Sequence, residues 1–161
     1  MGQIVYVDEA GIDNRDQYPY GYSKVGQRFY ALRAGKQTER VSWSAALKQG
    51  KLIAPMTLLF SGSCNRDLFE VWLQECLLPQ LQPGDMIVLD NASFHRSQAI
   101  DEIVAQAGCE LWYLPPYSPD YNKIEPWWFM LKNWMRQRLD EFEDFRDCVD
   151  AAFKYCPNVL R

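Results

Sequence analysis

Long apolar runs, paired cysteines and histidine clusters are missing from the sequence, and these absences exclude several classes of protein. No stretch approaches the roughly 20 consecutive apolar residues that cross a bilayer. The start MGQIVYVDEA has neither the basic segment nor the cleavage site of a secretory signal. One histidine and five cysteines without a Cys-x-x-Cys pair do not make a zinc finger or a disulfide framework. We therefore expect a cytoplasmic protein with reduced thiols and no membrane partner.

What the chain does contain is the composition of one globular domain. Its 161 residues are 48% hydrophobic, 14% aromatic and 24% charged, which excludes disordered, collagen-like and low-complexity chains. No internal repeat or long linker divides the sequence, so we predict a single domain over residues 1–161.

The charges are unevenly distributed along the chain. The net charge of −4 argues against a protein that coats nucleic acid in general. However, residues 14–52 carry eight basic and two acidic side chains, a net charge of +6, whereas residues 139–161 have a net charge of −3. This asymmetry would let a polyanion approach one side of the domain. A solvated, charged hairpin explains the basic segment equally well.

The first part of the sequence predicts strands alone, and after residue 65 short helices and strands alternate. β-branched and aromatic runs predict strands at IVYVDEA, QRFYALRAG, VSWSAAL, KLIAPMTLLFSG, DMIVL and ELWYL. Apolar periodicity and capping residues predict helices from Asn65 to about Leu78, over SQAIDEIVAQAG, from Ile124 to about Leu139, and from Phe142 to Tyr155. Crossovers through a helix lay strands parallel. We therefore expect an α/β fold with a five-stranded mixed sheet and helices on both faces.

Two aspartates end the most apolar predicted strands. Asp8 follows IVYV and Asp90 follows MIVL, and ligands bind at the carboxyl ends of strands in open α/β sheets. If the two strands are parallel neighbours, the side chains meet, and a divalent metal would relieve their repulsion. Taken singly, an aspartate at a strand end is more often a turn former. Glu9 alternates to the opposite face of its strand and is kept in reserve.

Glu125 is the third candidate acid, because the proline-rich loop before it fixes where its helix begins. The alternative is that Glu125 only caps this helix together with Asn122. On the same helix, Lys132 and Arg136 return to within about 20° of Glu125 and would line a phosphate track, unless they are a solvated face. Trp128 has the spacing of a core residue.

The strings VYVDEAGI, IVLDNASFHRS and LWYLPPYSPDYNKIEPWW, in that order, resemble the acidic motifs of DDE transposases of the mariner superfamily, in its bacterial insertion-sequence branch. The 34 residues between Asp90 and Glu125 agree with that group. The departures are Tyr121 and Lys123, where the family usually has Leu and Pro, and Pro126, which directly follows the glutamate. They leave the acids in place but put the pitch of the first helical turn in doubt.

The resemblance implies a ribonuclease H-like fold and a metal-binding catalytic triad of Asp8, Asp90 and Glu125. Two Mg²⁺ or Mn²⁺ ions would serve cleavage and strand transfer at element ends, with Asp8 as the bridging ligand. Asn91 and His95 would support Asp90 or contact the phosphate, although His95 is also consistent with a surface residue.

The resemblance also implies partners: DNA at the element ends and target, and a second copy of the chain when active. Such transposases carry a helix-turn-helix module ahead of the catalytic domain, which this sequence does not include. Site recognition would then come from an upstream polypeptide or a missing part. Two other functions remain open. One is a structure- or hybrid-specific nuclease without strand transfer, and the other is an inactive, truncated, DNA-associated remnant.

Overall fold

The computed structural model describes residues 1–13, 40–58 and 65–156, and within them five strands form one mixed sheet. Its order is β3-β2-β1-β4-β5. β1 is antiparallel to β2 and parallel to β4, which is parallel to β5. The strands are β1 (Ile4–Asp13), β2 (Arg40–Lys48), β3 (Lys51–Leu58), β4 (Met86–Leu89) and β5 (Glu110–Tyr113). The predicted mixed sheet is confirmed, while the strand predicted at QRFYALRAG and most of the basic segment lie outside the described residues.

In the described part of the chain, four α-helices connect and cover the strands. They are α1 (Arg66–Trp72), α2 (Gln98–Gln106), α3 (Glu125–Arg136) and α4 (Phe145–Tyr155). Asn65 caps α1 as predicted, and its side chain accepts a hydrogen bond from the Leu68 amide. Beyond α1 the chain continues as a π-helical and a 3-10 turn instead of a regular helix. None of the described helices is long and apolar enough to cross a membrane.

The predicted boundary between the last two helices was wrong. α3 ends at Arg136 rather than near Leu139, and α4 begins at Phe145 rather than Phe142. A 3-10 turn lies between them, and Asp144 caps α4 by accepting a hydrogen bond from the Arg146 amide. This cap satisfies an amide that a longer helix would have paired internally.

Alternation along β1 divides the interior into two cores, one on each face of the sheet. Val5 and Val7 pack with α1 and α2 on one face, whereas Ile12 packs with α3 and α4 on the other. Helices therefore cover both faces, as predicted. Asp8 follows the alternation onto the face of α3, and Glu9 onto the face of α1.

Asp85 joins three strands at the edge of the sheet opposite to Asp8. One carboxylate oxygen accepts the Gln3 amide at 2.8 Å, and the other accepts the Lys48 ammonium at 2.6 Å and the Gln82 amide at 2.9 Å. The residue is 2% exposed. Burial alone would raise the pKa of Asp85, but the hydrogen bonds from Gln82 and Lys48 outweigh it, so the pKa lies below its ordinary value.

We expect Asp85→Asn to lower the free energy of unfolding by about 3 kcal/mol at neutral pH, since it leaves the Lys48 charge without its partner. The loss should shrink as pH falls below the ordinary carboxyl pKa of 3.8 and through the lower folded value, because the wild-type carboxylate is then protonated as well. Urea unfolding at pH 7 and pH 3 measures this, with the exposed Asp140→Asn as control. An equal loss at both pH values would contradict the ionic role.

Candidate active site

The sheet brings Asp8 and Asp90 to the same edge. β1 and β4 are parallel neighbours, with Ile4 paired to Met86 and Tyr6 to Val88. The same offset, carried two residues further, places Asp8 opposite Asp90. The parallel, adjacent strands on which the predicted meeting of Asp8 and Asp90 depended are observed. Asp90 directly follows β4, as predicted, but the prediction that Asp8 ends its strand was wrong, because β1 continues along β2 to Asp13.

Glu125 reaches the same place from a third element. A cavity of about 410 Å³ is lined by all three predicted acids, together with Asn91, Asn122 and residues 114–119 of the proline-rich loop. Asp8 comes from the central strand, Asp90 from the end of β4, and Glu125 from the first position of α3. We name this cavity the acidic pocket.

Asp8 is the buried member of the acidic pocket. It is 9% exposed, and its Oδ2 accepts a hydrogen bond of 2.9 Å from the indole Nε1 of Trp128. Desolvation, together with the charges of Glu9 and Glu125, raises the pKa of Asp8 to about 7, against the lowering effect of the Trp128 bond. A cation bound in the acidic pocket would therefore stabilise the ionised form of Asp8.

Asp90 is held by a fully buried histidine. Its Oδ1 lies 2.6 Å from Nδ1 of His95, whose Nε2 lies 3.0 Å from Oε1 of Glu9. Desolvation would lower the pKa of His95, but the two carboxylates outweigh it and raise the value to about 9. The hydrogen bond from His95 in turn lowers the pKa of Asp90. At neutral pH, His95 is thus an imidazolium and Asp90 a carboxylate. Because the His95 side chain is fully buried, its interpretation as a surface residue was wrong.

The capping interpretation of Glu125 and Asn122 was also wrong. Ile124 is the residue before the helix, and no side chain caps it. Asn122 is buried, accepts a hydrogen bond from the Ile124 amide and donates one of 3.4 Å to the Val7 carbonyl. Pro126 occupies an early helical position that tolerates proline. Glu125 therefore has its side chain exposed and free of a capping role.

The remaining predicted residues divide between the acidic pocket and the helix beyond it. Asn91 is exposed and lines the pocket next to Asp90. Lys132 and Arg136 are half-buried on α3 and do not line the pocket. Their role on a phosphate track stays a prediction.

Sequence reasoning placed Trp128 in the core and missed its contact with Asp8. The signal was its position three residues after Glu125, which puts both side chains on one face of α3. Asn122 was considered only as a cap, although it bonds to the β1 backbone next to Asp8. Trp128 links α3 to the strand that carries the buried acid, and Asn122 links the segment before α3 to the same strand.

The donor set of the acidic pocket fits magnesium or manganese. All three acids present oxygen, the ligand that these hard ions prefer. Among the residues that the structure describes, no three His, Cys, Asp or Glu side chains are close enough to hold one ion by themselves. Magnesium is commonly held by one or two carboxylates, with waters and substrate phosphates as its other ligands. Carboxylates that face a shared, open pocket match that mode.

We expect Trp128→Phe to weaken magnesium binding about tenfold, because it removes the donor that orients Asp8 and keeps an aromatic ring in the core. Thermal melts over a MgCl₂ series give the concentration for half of the stabilisation. Trp127→Phe, a half-buried position on the same helix, is the matched control. Unchanged magnesium dependence in Trp128→Phe would contradict the orienting role.

The chain is similar to known proteins in sequence and in fold. The family model described as DDE superfamily endonuclease matches residues 3–147. The uncharacterized protein y4pE/y4sA of Sinorhizobium fredii is 34% identical over 65 residues, which are 40% of this chain and 44% of that protein. The Mos1 mariner paired-end complex with Mn has a TM-score of 0.59 at 18% identity, with 97% of this chain and 53% of that chain covered. The Mos1 transposase catalytic domain with Raltegravir and Mg has a TM-score of 0.59 at 17% identity, with 98% and 71% covered.

The likeness to the Mos1 structures shows the ribonuclease H-like fold. The chain spans about half the length of the curated relative and of the chain in the Mos1 paired-end complex. The family model, in contrast, covers nearly the whole of this sequence and includes all three acids of the acidic pocket. The chain therefore belongs to the DDE superfamily endonuclease family.

Proposed function

We propose that this chain is the catalytic domain of a transposase that cuts DNA at element ends and joins them to a target. The observation that carries the proposal is the convergence of Asp8, Asp90 and Glu125, from three separate elements, on one pocket. Membership of the DDE superfamily endonuclease family supports it. Two Mg²⁺ or Mn²⁺ ions would be held there, with Asp8 shared between them because it comes from the central strand.

Asp8, Asp90 and Glu125 would hold the divalent ions, which would supply activation of a water or a 3′-hydroxyl and neutralisation of the leaving oxygen in an in-line displacement at phosphorus. The chain supplies the positioning. Trp128 donates a hydrogen bond to one oxygen of Asp8, and His95 donates one to one oxygen of Asp90. Each aspartate is therefore oriented before the reaction. Asn91 lines the pocket next to Asp90 and would donate an amide hydrogen to a phosphate oxygen.

The partners of this function are DNA and a second copy of the chain. The Mos1 structures that share the fold are described as a paired-end complex and a strand transfer complex. We extend that arrangement to this chain: two copies, each holding one element end, act on a target in the bacterial cytoplasm. The bacterial source of the curated relative supports this setting. A helix-turn-helix segment or polypeptide would recognise the ends, and Lys132 and Arg136 would contact the backbone beyond the pocket.

Incubation of the purified chain with supercoiled plasmid and Mg²⁺ or Mn²⁺ tests the proposal. We expect metal-dependent nicking, and joined products when a pre-cleaved element end with a free 3′-hydroxyl is supplied. Hydrolysed ends without any joined product would instead indicate a nuclease. The absence of metal-dependent strand breaks would contradict both.

A further inference from the structure

The imidazole of His95 lies between two carboxylates, that of Glu9 on β1 and that of Asp90 directly after β4. Nδ1 is 2.6 Å from Oδ1 of Asp90, and Nε2 is 3.0 Å from Oε1 of Glu9. The side chain of His95 is completely buried, whereas that of Glu9 is 17% exposed and that of Asp90 45% exposed. A buried ring with carboxylate oxygens at both nitrogens donates from both, so it needs both partners.

The ring of His95 is fixed by its neighbours as well as by its hydrogen bonds. Its centroid lies 4.5 Å from that of Phe69 on α1 and 4.2 Å from that of Phe94. The backbone carbonyl of His95 accepts a hydrogen bond of 2.9 Å from the Tyr113 hydroxyl. With the aromatic rings around it and the backbone tied to β5, the imidazole has one orientation in which both nitrogens are satisfied.

The donors to Asp90 act on a single oxygen. Oδ1 accepts a hydrogen bond from Nδ1 of His95 and another, of 3.0 Å, from the Ala92 amide. Asp90 is otherwise half-exposed on the wall of the acidic pocket. Two donors on Oδ1 set the rotamer of Asp90 and leave Oδ2 for a ligand in the pocket.

Glu9 lies outside the acidic pocket, on the opposite face of β1 from Asp8. It is therefore placed away from the metal ligands, although its sequence position next to Asp8 made it a reserve candidate. Its contact with Nε2 of His95 gives it a different role. Without an acceptor at Nε2, the buried ring would lose one of its two hydrogen bonds and would hold Asp90 less firmly in position.

We propose that Glu9 is a positioning residue for metal binding, which acts on Asp90 through His95. The inference rests on the proposed function, because it takes Asp90 as a metal ligand. A hydrogen-bonded chain behind a ligand sets its direction, and loss of such support commonly costs about 10–100-fold in metal affinity or activity. The hydrogen bonds from Glu9 through His95 orient Asp90 before the substrate binds. Loss of Glu9 should therefore lower the metal affinity and leave the cleavage rate at saturating metal largely unchanged.

The first test measures DNA cleavage against metal concentration for wild type, Glu9→Ala and Glu9→Gln. Glu9→Ala should raise the metal concentration for half-maximal cleavage by about 10–100-fold, with cleavage at saturating metal largely restored. Glu9→Gln should remain close to wild type, since its amide oxygen still accepts from Nε2. Glu143→Ala, at an exposed glutamate outside the pocket lining, is the control. Equal metal dependence in all four proteins would overturn the inference and leave the proposed function standing.

The second test uses the fact that His95 is the only histidine of the sequence. Tag-free protein labelled with ¹⁵N-histidine gives the ring signals of this one side chain. In wild type we expect both nitrogens protonated, and Mg²⁺ should shift the Nδ1 signal through Asp90. Wild-type protein that cleaves DNA while Mg²⁺ leaves both signals unmoved would overturn the inference, even if Glu9→Ala fails to fold. Wild-type protein with no metal-dependent cleavage and no shift would overturn the proposed function, and the inference with it.

Discussion

Replacement of Asp90 by asparagine is expected to reduce metal-dependent DNA cleavage by more than about a thousandfold. A divalent ion contributes several kcal/mol of charge stabilisation, and about 4 kcal/mol corresponds to a thousandfold in rate. Asparagine keeps an oxygen that can accept from His95 and the Ala92 amide, so the local hydrogen bonds survive. The loss should therefore be chemical rather than a loss of fold.

The control for this prediction is Asp140→Asn, an exposed acid at the turn between α3 and α4. It should cleave DNA as wild type does. Melting temperatures of both variants, measured in EDTA, should stay near the wild-type value. Cleavage by Asp90→Asn within tenfold of wild type would contradict the assignment of Asp90 as a metal ligand.

The second large effect is expected at Asp8, where the metal-free fold carries an electrostatic penalty. Burial raises the pKa of Asp8 from 3.8 to about 7, so above that pH the ionised side chain costs the fold roughly 4 kcal/mol, as a shift of one pKa unit is worth about 1.36 kcal/mol. Asp8→Asn removes the penalty and should stabilise the protein in EDTA at pH 8. Mg²⁺ at a hundred times its dissociation constant should stabilise wild type by about 2.7 kcal/mol, and Asp8→Asn hardly at all.

Differential scanning calorimetry in EDTA and in MgCl₂ checks both parts. The gain of about 2.7 kcal/mol from Mg²⁺ corresponds to a rise of about 5–10 °C in the melting temperature of a domain of this length. The expected order is therefore Asp8→Asn above wild type in EDTA, with the gap narrowed by Mg²⁺. Asp8→Asn that is less stable than wild type in EDTA, together with an equal gain from Mg²⁺, would contradict the account.

The positions of the strands in the sequence and the faces of Asp8 and Glu9 were predictable because they follow from local patterns. An apolar run predicts a buried strand, and alternation decides which face each side chain takes. The run IVYV did not mark the end of its strand, because β1 continues past Asp8 to Asp13 along β2. The crossover rule predicted the parallel direction of β4, whereas its position next to β1 was only a condition of the prediction and is established by the fold. The sequence could therefore name Asp8 and Asp90 as a pair, but not show that they meet.

The supporting contacts were not predictable, because they depend on residues that meet only after folding. His95 is buried because Phe69, from another helix, covers it and Glu9 satisfies its second nitrogen. Trp128 has the spacing of a core residue, and only the packing of α3 on β1 turns its indole nitrogen toward Asp8. Periodicity reports which face of an element is buried, but not which polar atom it will meet.

The most direct test of the central claim is anomalous diffraction at the manganese edge from crystals of this chain with Mn²⁺ and a DNA end. The account predicts two manganese peaks in the acidic pocket, with Asp8 within ligand distance of both, Asp90 on one and Glu125 on the other. Manganese bound elsewhere on the chain, with none of these three carboxylates as a ligand, would contradict it.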